Sequence, residues 1–143
     1  MHFLLDVNVL LALSLPNHQH HGAATEWFDR GRQWATTPIT ETAYLRLLVN
    51  PLVVGYDIAP AQAIDALGAM RQLAGHTFVP DSSTLADAKI NVASLAGASQ
   101  VTDHHLINLA AINGLILATF DGSLSRAVSS ADRKHIQVLS DRS

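Results

Sequence analysis

Residues 3–13 read FLLDVNVLLAL, a carboxylate set inside a run of leucine and valine. HFLLD, at 2–6, has the character of a short, fully buried strand, and 8–15 that of a helix stopped by Pro16. Asp6 therefore stands where the chain leaves a buried strand. An isolated carboxylate in such a place costs several kcal/mol in lost hydration, roughly 2–7 even for an uncharged polar group. It needs hydrogen-bond partners, a counter-charge or a metal ion, and finding that partner is the key to the chain.

Outward from this stretch, strands and helices alternate. A second helix is expected from His18 to about Arg30, opened by Asn17 as cap and closed by Gly31. QWATT (33–37) is the second strand. Thr40 is expected to cap a helix running to about Val49 and ended by Asn50-Pro51. Residues 61–73 are helical, with Ile64, Leu67 and Met70 on one side, and HTFVP (76–80) is the third strand. Residues 83–95 are expected to form a helix, and Thr102 to cap another over 103–113, closed by Gly114. LILATF (115–120) is a strand, 124–128 a short helix and HIQVL (135–139) the fifth strand. This alternation implies an α/β sandwich on a largely parallel sheet.

Composition narrows the setting. The 143 residues suit one ordinary domain, and 48% hydrophobic residues supply a core. Only the tail from residue 140 to residue 143 reads as disordered. No apolar run approaches the ~18 residues of a membrane span, and no basic segment opens a secretory signal. The absence of cysteine excludes disulfides and thiolate zinc sites and suits a cytoplasmic protein. A net charge of −3 makes no case for nucleic-acid binding by itself, although acids gathered around a metal are compatible with basic residues elsewhere.

Four acids occupy equivalent places. Asp6 ends the first strand, Glu41 opens the helix after the second, Asp103 opens the helix before the fourth, and Asp121 follows that strand in TFDGSL. Sites in open parallel sheets form at the carboxyl ends of strands. Asp103 reaches that edge if its helix runs antiparallel to the strands. Each acid also has an ordinary reading: Glu41 and Asp103 as helix-dipole partners, Asp121-Gly122 as a turn. Four converging carboxylates repel and persist only with cations or protons. An all-oxygen set suits Mg²⁺ or Mn²⁺, hard ions that activate water for phosphodiester hydrolysis. His18, His20 and His21 lack a fourth zinc ligand and read as structural. Of His104 and His105, one is expected to face the site and one the core. Trp27, Phe28 and Trp34 read as core or interface.

LLDVNVLLAL (4–13), ITETAYLRLLVNP (39–51), VTDHHLINLA (101–110) and ATFDGSL (118–124), in this order, resemble the PIN-domain ribonucleases, and among them the VapC-type toxins of toxin–antitoxin pairs. The resemblance implies a PIN-like three-layer sandwich: a five-stranded, mainly parallel sheet flanked by helices, one domain over 1–143. It implies an endoribonuclease with an acidic quartet at Asp6, Glu41, Asp103 and Asp121, supported by Asn8, Thr119 and Arg46. Asp6, Asp103 and Asp121 are the expected holders of Mg²⁺, or Mn²⁺. Val7 stands where many members carry Ser or Thr. Arg126, Arg133 and Lys134 are further candidates for RNA phosphate contacts. The implied partners are RNA, a cognate antitoxin and a second copy of the chain. The rival reading is an inert PIN-like module serving only as a protein partner. Receiver-type phosphoacceptors need an adjacent acidic pair, and haloacid-dehalogenase-type phosphatases need an aspartate at position 8, where Asn8 stands.

Overall fold

The computed structural model describes residues 2–140. Five strands, β1 (His2–Leu5), β2 (Gln33–Thr36), β3 (His76–Phe78), β4 (Ile116–Thr119) and β5 (Ile136–Val138), form one sheet in the order β3-β2-β1-β4-β5. Every pairing is parallel. The chain builds outward from β1 to β3 on one side, then returns to place β4 on the other. The strand order thus reverses between β1 and β4, and the crevice outside their carboxyl ends is the switch point where such sheets bind ligands.

Side chains alternate across the sheet, as strand geometry requires. Phe3, Leu5, Trp34 and Ala118 enter one core, with Leu10 of α1 (Val7–Ser14), Tyr44 and Leu48 of α3 (Pro38–Leu48), and Leu67 and Met70 of α5 (Pro60–Arg71). Leu4, Ala35 and Leu117 enter the other, under α6 (Val101–Ile112) and Leu124 of α7 (Ser123–Ala127). The result is the expected three-layer sandwich. Trp27 and Trp34 are core residues and Phe28 packs against them. Trp27 belongs to α2 (His21–Phe28), and a further short helix, α4 (Pro51–Val54), follows α3.

The structure departs from the sequence reading at several boundaries. Residues 83–95 form no helix; they carry two 3₁₀ turns, Leu85–Asp87 and Val92–Ser94. Thr84 and Asn91 accept from Ala86 N and Ala93 N, while Asn108 and Asp132 capture the N–H groups of Lys89 and Asn91. These side chains take donors that a helix would need. Thr37, not Thr40, precedes α3, because Pro38 suits the first helical position. Thr40 instead hydrogen-bonds back to the Thr37 backbone. Thr102 lies inside α6, which grows directly out of the 3₁₀ turn Ala98–Gln100. α2 begins at His21 rather than His18, since the His18 ring accepts from His20 N and fixes a turn there. Ile64 is 58% exposed; the inward stripe of α5 is Ala63, Leu67 and Met70. Asn50-Pro51 opens α4 as well as ending α3, Asn50 capping Leu52 N. Apart from Ser140, the tail expected from residue 140 to residue 143 lies outside the described residues.

Candidate active site

Asp6 is the N-cap of α1. Its Oδ1 accepts from Val7 N at 2.7 Å, and its Oδ2 accepts from Thr119 Oγ1 at 2.7 Å and from Asn8 Nδ2 at 3.5 Å. Thr119, fully buried at the end of β4, is the hub of this arrangement. While donating to Asp6, its hydroxyl accepts from Asn8 Nδ2 at 3.0 Å and from Asp121 N at 3.1 Å. Asn8 Oδ1 accepts from Phe120 N at 3.0 Å. The two central strands are thus tied at their carboxyl ends through Asp6, Asn8 and Thr119. Asp121 is held in its own turn, its Oδ1 accepting from Ser123 N at 2.9 Å and Ser123 Oγ at 2.6 Å.

Asp103 sits in the first turn of α6 and feels the charges of Asp6 and Asp121, so that turn lies toward the same edge. A small cavity of about 70 Å³ is shared by Asp103, His104, Ser123 and Leu124. Burial pushes the Asp103 carboxyl up to about 6, with the charges of Asp6 and Asp121 adding to the rise. Burial likewise raises Asp6, against the hydrogen bonds from Thr119 and Val7, and Asp121 again adds to it. Asp6, Asp103 and Asp121 therefore lie within one another's electrostatic reach.

Glu41 is held differently. In the first turn of α3 it accepts from Thr36 Oγ1 at 2.6 Å and meets Arg71 Nη1 at 3.6 Å. Among the described residues it is the one acid of the four in an ion pair with a protein cation. Sequence spacing gives no hint of Thr36, Arg71 or His76 as its neighbours; they come from β2, the end of α5 and β3. Arg46, expected near the acids, is exposed and makes no hydrogen bond or ion pair among the described residues. Arg126 is exposed, with a guanidinium nitrogen 3.8 Å from where a Cβ on Gly122 would lie, beside Asp121. Arg133 and Lys134 are exposed, the former bonded to Ser125 O at 3.0 Å.

Neither histidine of the pair on α6 hydrogen-bonds the acids. His104 is fully buried, its Nδ1 donating to Gln100 O and its Nε2 lying 3.3 Å from Ser94 Oγ. His105 pairs with Asp81 at 2.7 Å. The expectation of one core histidine holds for His104; His105 turns away from the site toward Asp81. His21 binds Ala12 O and His20 stacks on Phe120, at 4.3 Å between ring centroids, in keeping with structural roles. Among the described residues, no three His, Asp or Glu side chains stand close enough to form a ready-made ligand set. Asp6, Asp103 and Asp121 act on one another electrostatically without closing on one point.

Comparison with known proteins gives this edge a lineage. The PIN domain family profile matches residues 3–129. Ribonuclease VapC39 of Mycobacterium tuberculosis is 48% identical over 129 residues, 88% of this chain and 93% of its own length. Ribonuclease VapC38 of the same organism is 37% identical over 138 residues, 95% of this chain and 96% of its own. Two solved structures share the fold at low identity. M. tuberculosis VapC20, described as a sarcin–ricin loop cleaving toxin, matches with a TM-score of 0.61 at 15% identity, covering 87% of this chain and 94% of its own. Rickettsia felis VapBC2, solved bound to a DNA fragment from its promoter, matches at 0.65 and 10% identity, covering 98% and 100%. By sequence, the chain belongs to the PIN-domain family and, within it, to the VapC ribonucleases.

Proposed function

We propose that this chain is a divalent-metal-dependent endoribonuclease, the toxin of a toxin–antitoxin pair, with one domain over 1–143. The observation that carries the reading is the mutual charge coupling of Asp6, Asp103 and Asp121 at the β1/β4 switch point. Among the described residues none of the three is in an ion pair, and partly desolvated carboxylates repel one another. Their oxygen-only chemistry fits a hard cation, and no thiol or turned-in imidazole competes with it. Asp6, Asp103 and Asp121 are the residues that would hold Mg²⁺ or Mn²⁺.

Such an ion lowers the pKa of a bound water and offsets charge on the phosphate. The chain supplies the rest. Thr119 and Asn8 fix Asp6, and Ser123 fixes Asp121. Glu41, already engaged by Thr36 and Arg71, accepts a hydrogen bond from the attacking water and orients it. In-line attack by water leaves a 5′-phosphate and a 3′-hydroxyl. Arg126, Arg133, Lys134 and Arg46 are exposed cations that serve RNA phosphates, and a symmetric dimer extends that surface over two chains. The partner is a cognate antitoxin, as the VapBC2 likeness suggests for its own pair. Among the described residues, no helix is long and apolar enough to cross a membrane.

The test is cleavage of RNA by purified chain, freed of any partner, with Mg²⁺ present and absent. Metal-dependent cleavage, lost in Asp6→Asn and Asp121→Asn variants that still fold, is expected. Cleavage that survives either change refutes the assignment. Calorimetric titration with Mg²⁺ separates the enzyme from an inert module, which binds the ion no better than background.

A further inference from the structure

The hydroxyl of Thr36 lies between two partners, 2.6 Å from Glu41 Oε2 and 2.7 Å from His76 Nε2. It has one proton to give, and an ionised carboxylate only accepts. The proton therefore goes to Glu41, and the short contact on the other side requires His76 Nε2 to carry its own hydrogen. The bonds run one way, His76 Nε2–H to Thr36 Oγ1–H to Glu41, and each polarises the next. Thr36 is fully buried, so no water substitutes for it.

The neighbours hold this chain of bonds in place. Thr36 pairs in register with Phe78, and Trp34 with His76, so all four side chains lie on one face of β2 and β3. The His76 ring packs against Trp34 with centroids 4.7 Å apart, and Trp34 is pinned through Nε1 to Ala74 O at 3.0 Å. Phe78 carries the Arg71 guanidinium 4.9 Å above its ring, and from there Arg71 meets the second oxygen of Glu41 at 3.6 Å. One oxygen of Glu41 is thus bound by a buried hydroxyl and the other by a guanidinium seated on an aromatic ring.

We infer that Arg71 and, through Thr36, His76 are positioning residues that hold Glu41 aimed before any metal arrives, leaving it free of direct metal ligation. The inference rests on the nuclease reading above and assigns Glu41 a role distinct from that of the three aspartates. A fourth unpaired carboxylate would only add repulsion; paired with Arg71, Glu41 joins the edge at little electrostatic cost.

Two measurements test it. In the metal-free protein at pH 8, nitrogen-edited NMR of the imidazoles is expected to show the proton of His76 on Nε2, and Thr36→Val to shift it toward the other tautomer. A wild-type ring with Nε2 bare overturns the inference. In Mg²⁺-dependent cleavage, Arg71→Ala, His76→Ala and Thr36→Val are expected to lower kcat by roughly ten- to a hundredfold, the scale of a misplaced reacting group. KM should stay within about twofold. Thr36→Ser and Arg71→Lys are expected to recover most of the loss. If Arg71→Ala instead raises KM and flattens the salt dependence of RNA binding with kcat unchanged, Arg71 is a phosphate contact and the inference fails. A wild type without cleavage sinks the nuclease reading, while the NMR result still upholds or refutes the bond chain.

Discussion

Asp103→Asn is the sharpest probe of the charge crowding at this edge. The Asp103 carboxyl rises from its ordinary value of 3.8 to about 6, chiefly through burial and then through Asp6 and Asp121. Below 3.8 it is protonated in both folded and unfolded chains, and the crowding costs nothing. Between 3.8 and about 6 the folded chain retains a proton that the unfolded chain releases, so stability falls as pH rises. Above about 6 the full penalty stands. Roughly two pKa units at about 1.4 kcal/mol each give a ceiling near 3 kcal/mol. Asp103 is half-buried, and solvent screening reduces this to about 1.5 kcal/mol. Asparagine mimics the protonated acid, so the variant should be more stable at pH 7.5 by that amount, roughly 3–6 °C in Tm for a domain of this size. The assay is urea and thermal unfolding of the metal-free protein in EDTA at pH 7.5 and pH 4. The gain should vanish at pH 4 and shrink when saturating Mg²⁺ is added to the wild type. A variant no more stable at pH 7.5, or a gain that persists at pH 4, refutes the reasoning.

Other perturbations follow from the same geometry. Thr119→Val removes the donor to Asp6 and the acceptor of Asn8 Nδ2 and Asp121 N; it should cost about 2 kcal/mol in urea unfolding at pH 7.5, with Thr119→Ser recovering most of it. Gly75 has φ +87°, and a Cβ there would stand 2.7 Å from Arg32 O, so Gly75→Ala should destabilise by about 2 kcal/mol or more and loosen the β2–β3 edge, read as faster amide exchange in His76–Phe78. Single Ala variants of Arg126, Arg133 and Lys134 should each lower the slope of log K against log salt for RNA binding by about 0.7 if the residue neutralises one phosphate, and leave it unchanged if it does not.

What could be read along the chain was what is local. Strand character followed by helical spacing, repeated through the chain, sufficed for a parallel α/β sandwich, and the acids at segment ends followed from it. Asp6 was legible as anomalous because a carboxylate after four strand residues has no cheap explanation. Residues 83–95 misled for a physical reason: their apolar spacing suggests a helix, but Asn108 and Asp132 lie 19 and 41 residues away from the backbone groups they capture. Ile64 misled because two helical faces about 100° apart both carry apolar residues, and only packing against α3 selects Ala63, Leu67 and Met70.

The order of strands, and with it the crevice between β1 and β4, is a tertiary fact, because a parallel crossover can land on either side of the growing sheet. So are the partners of the acids. Thr119 reaches Asp6 across 113 residues and His76 reaches Thr36 across 40. The sequence by itself determined which segments are strands and where the carboxylates stand along them, since hydrophobic periodicity is a property of neighbours in the chain. The folded structure alone decided that three of those carboxylates share one field while the fourth has an arginine of its own, because interactions over a few ångströms depend on which strands lie side by side.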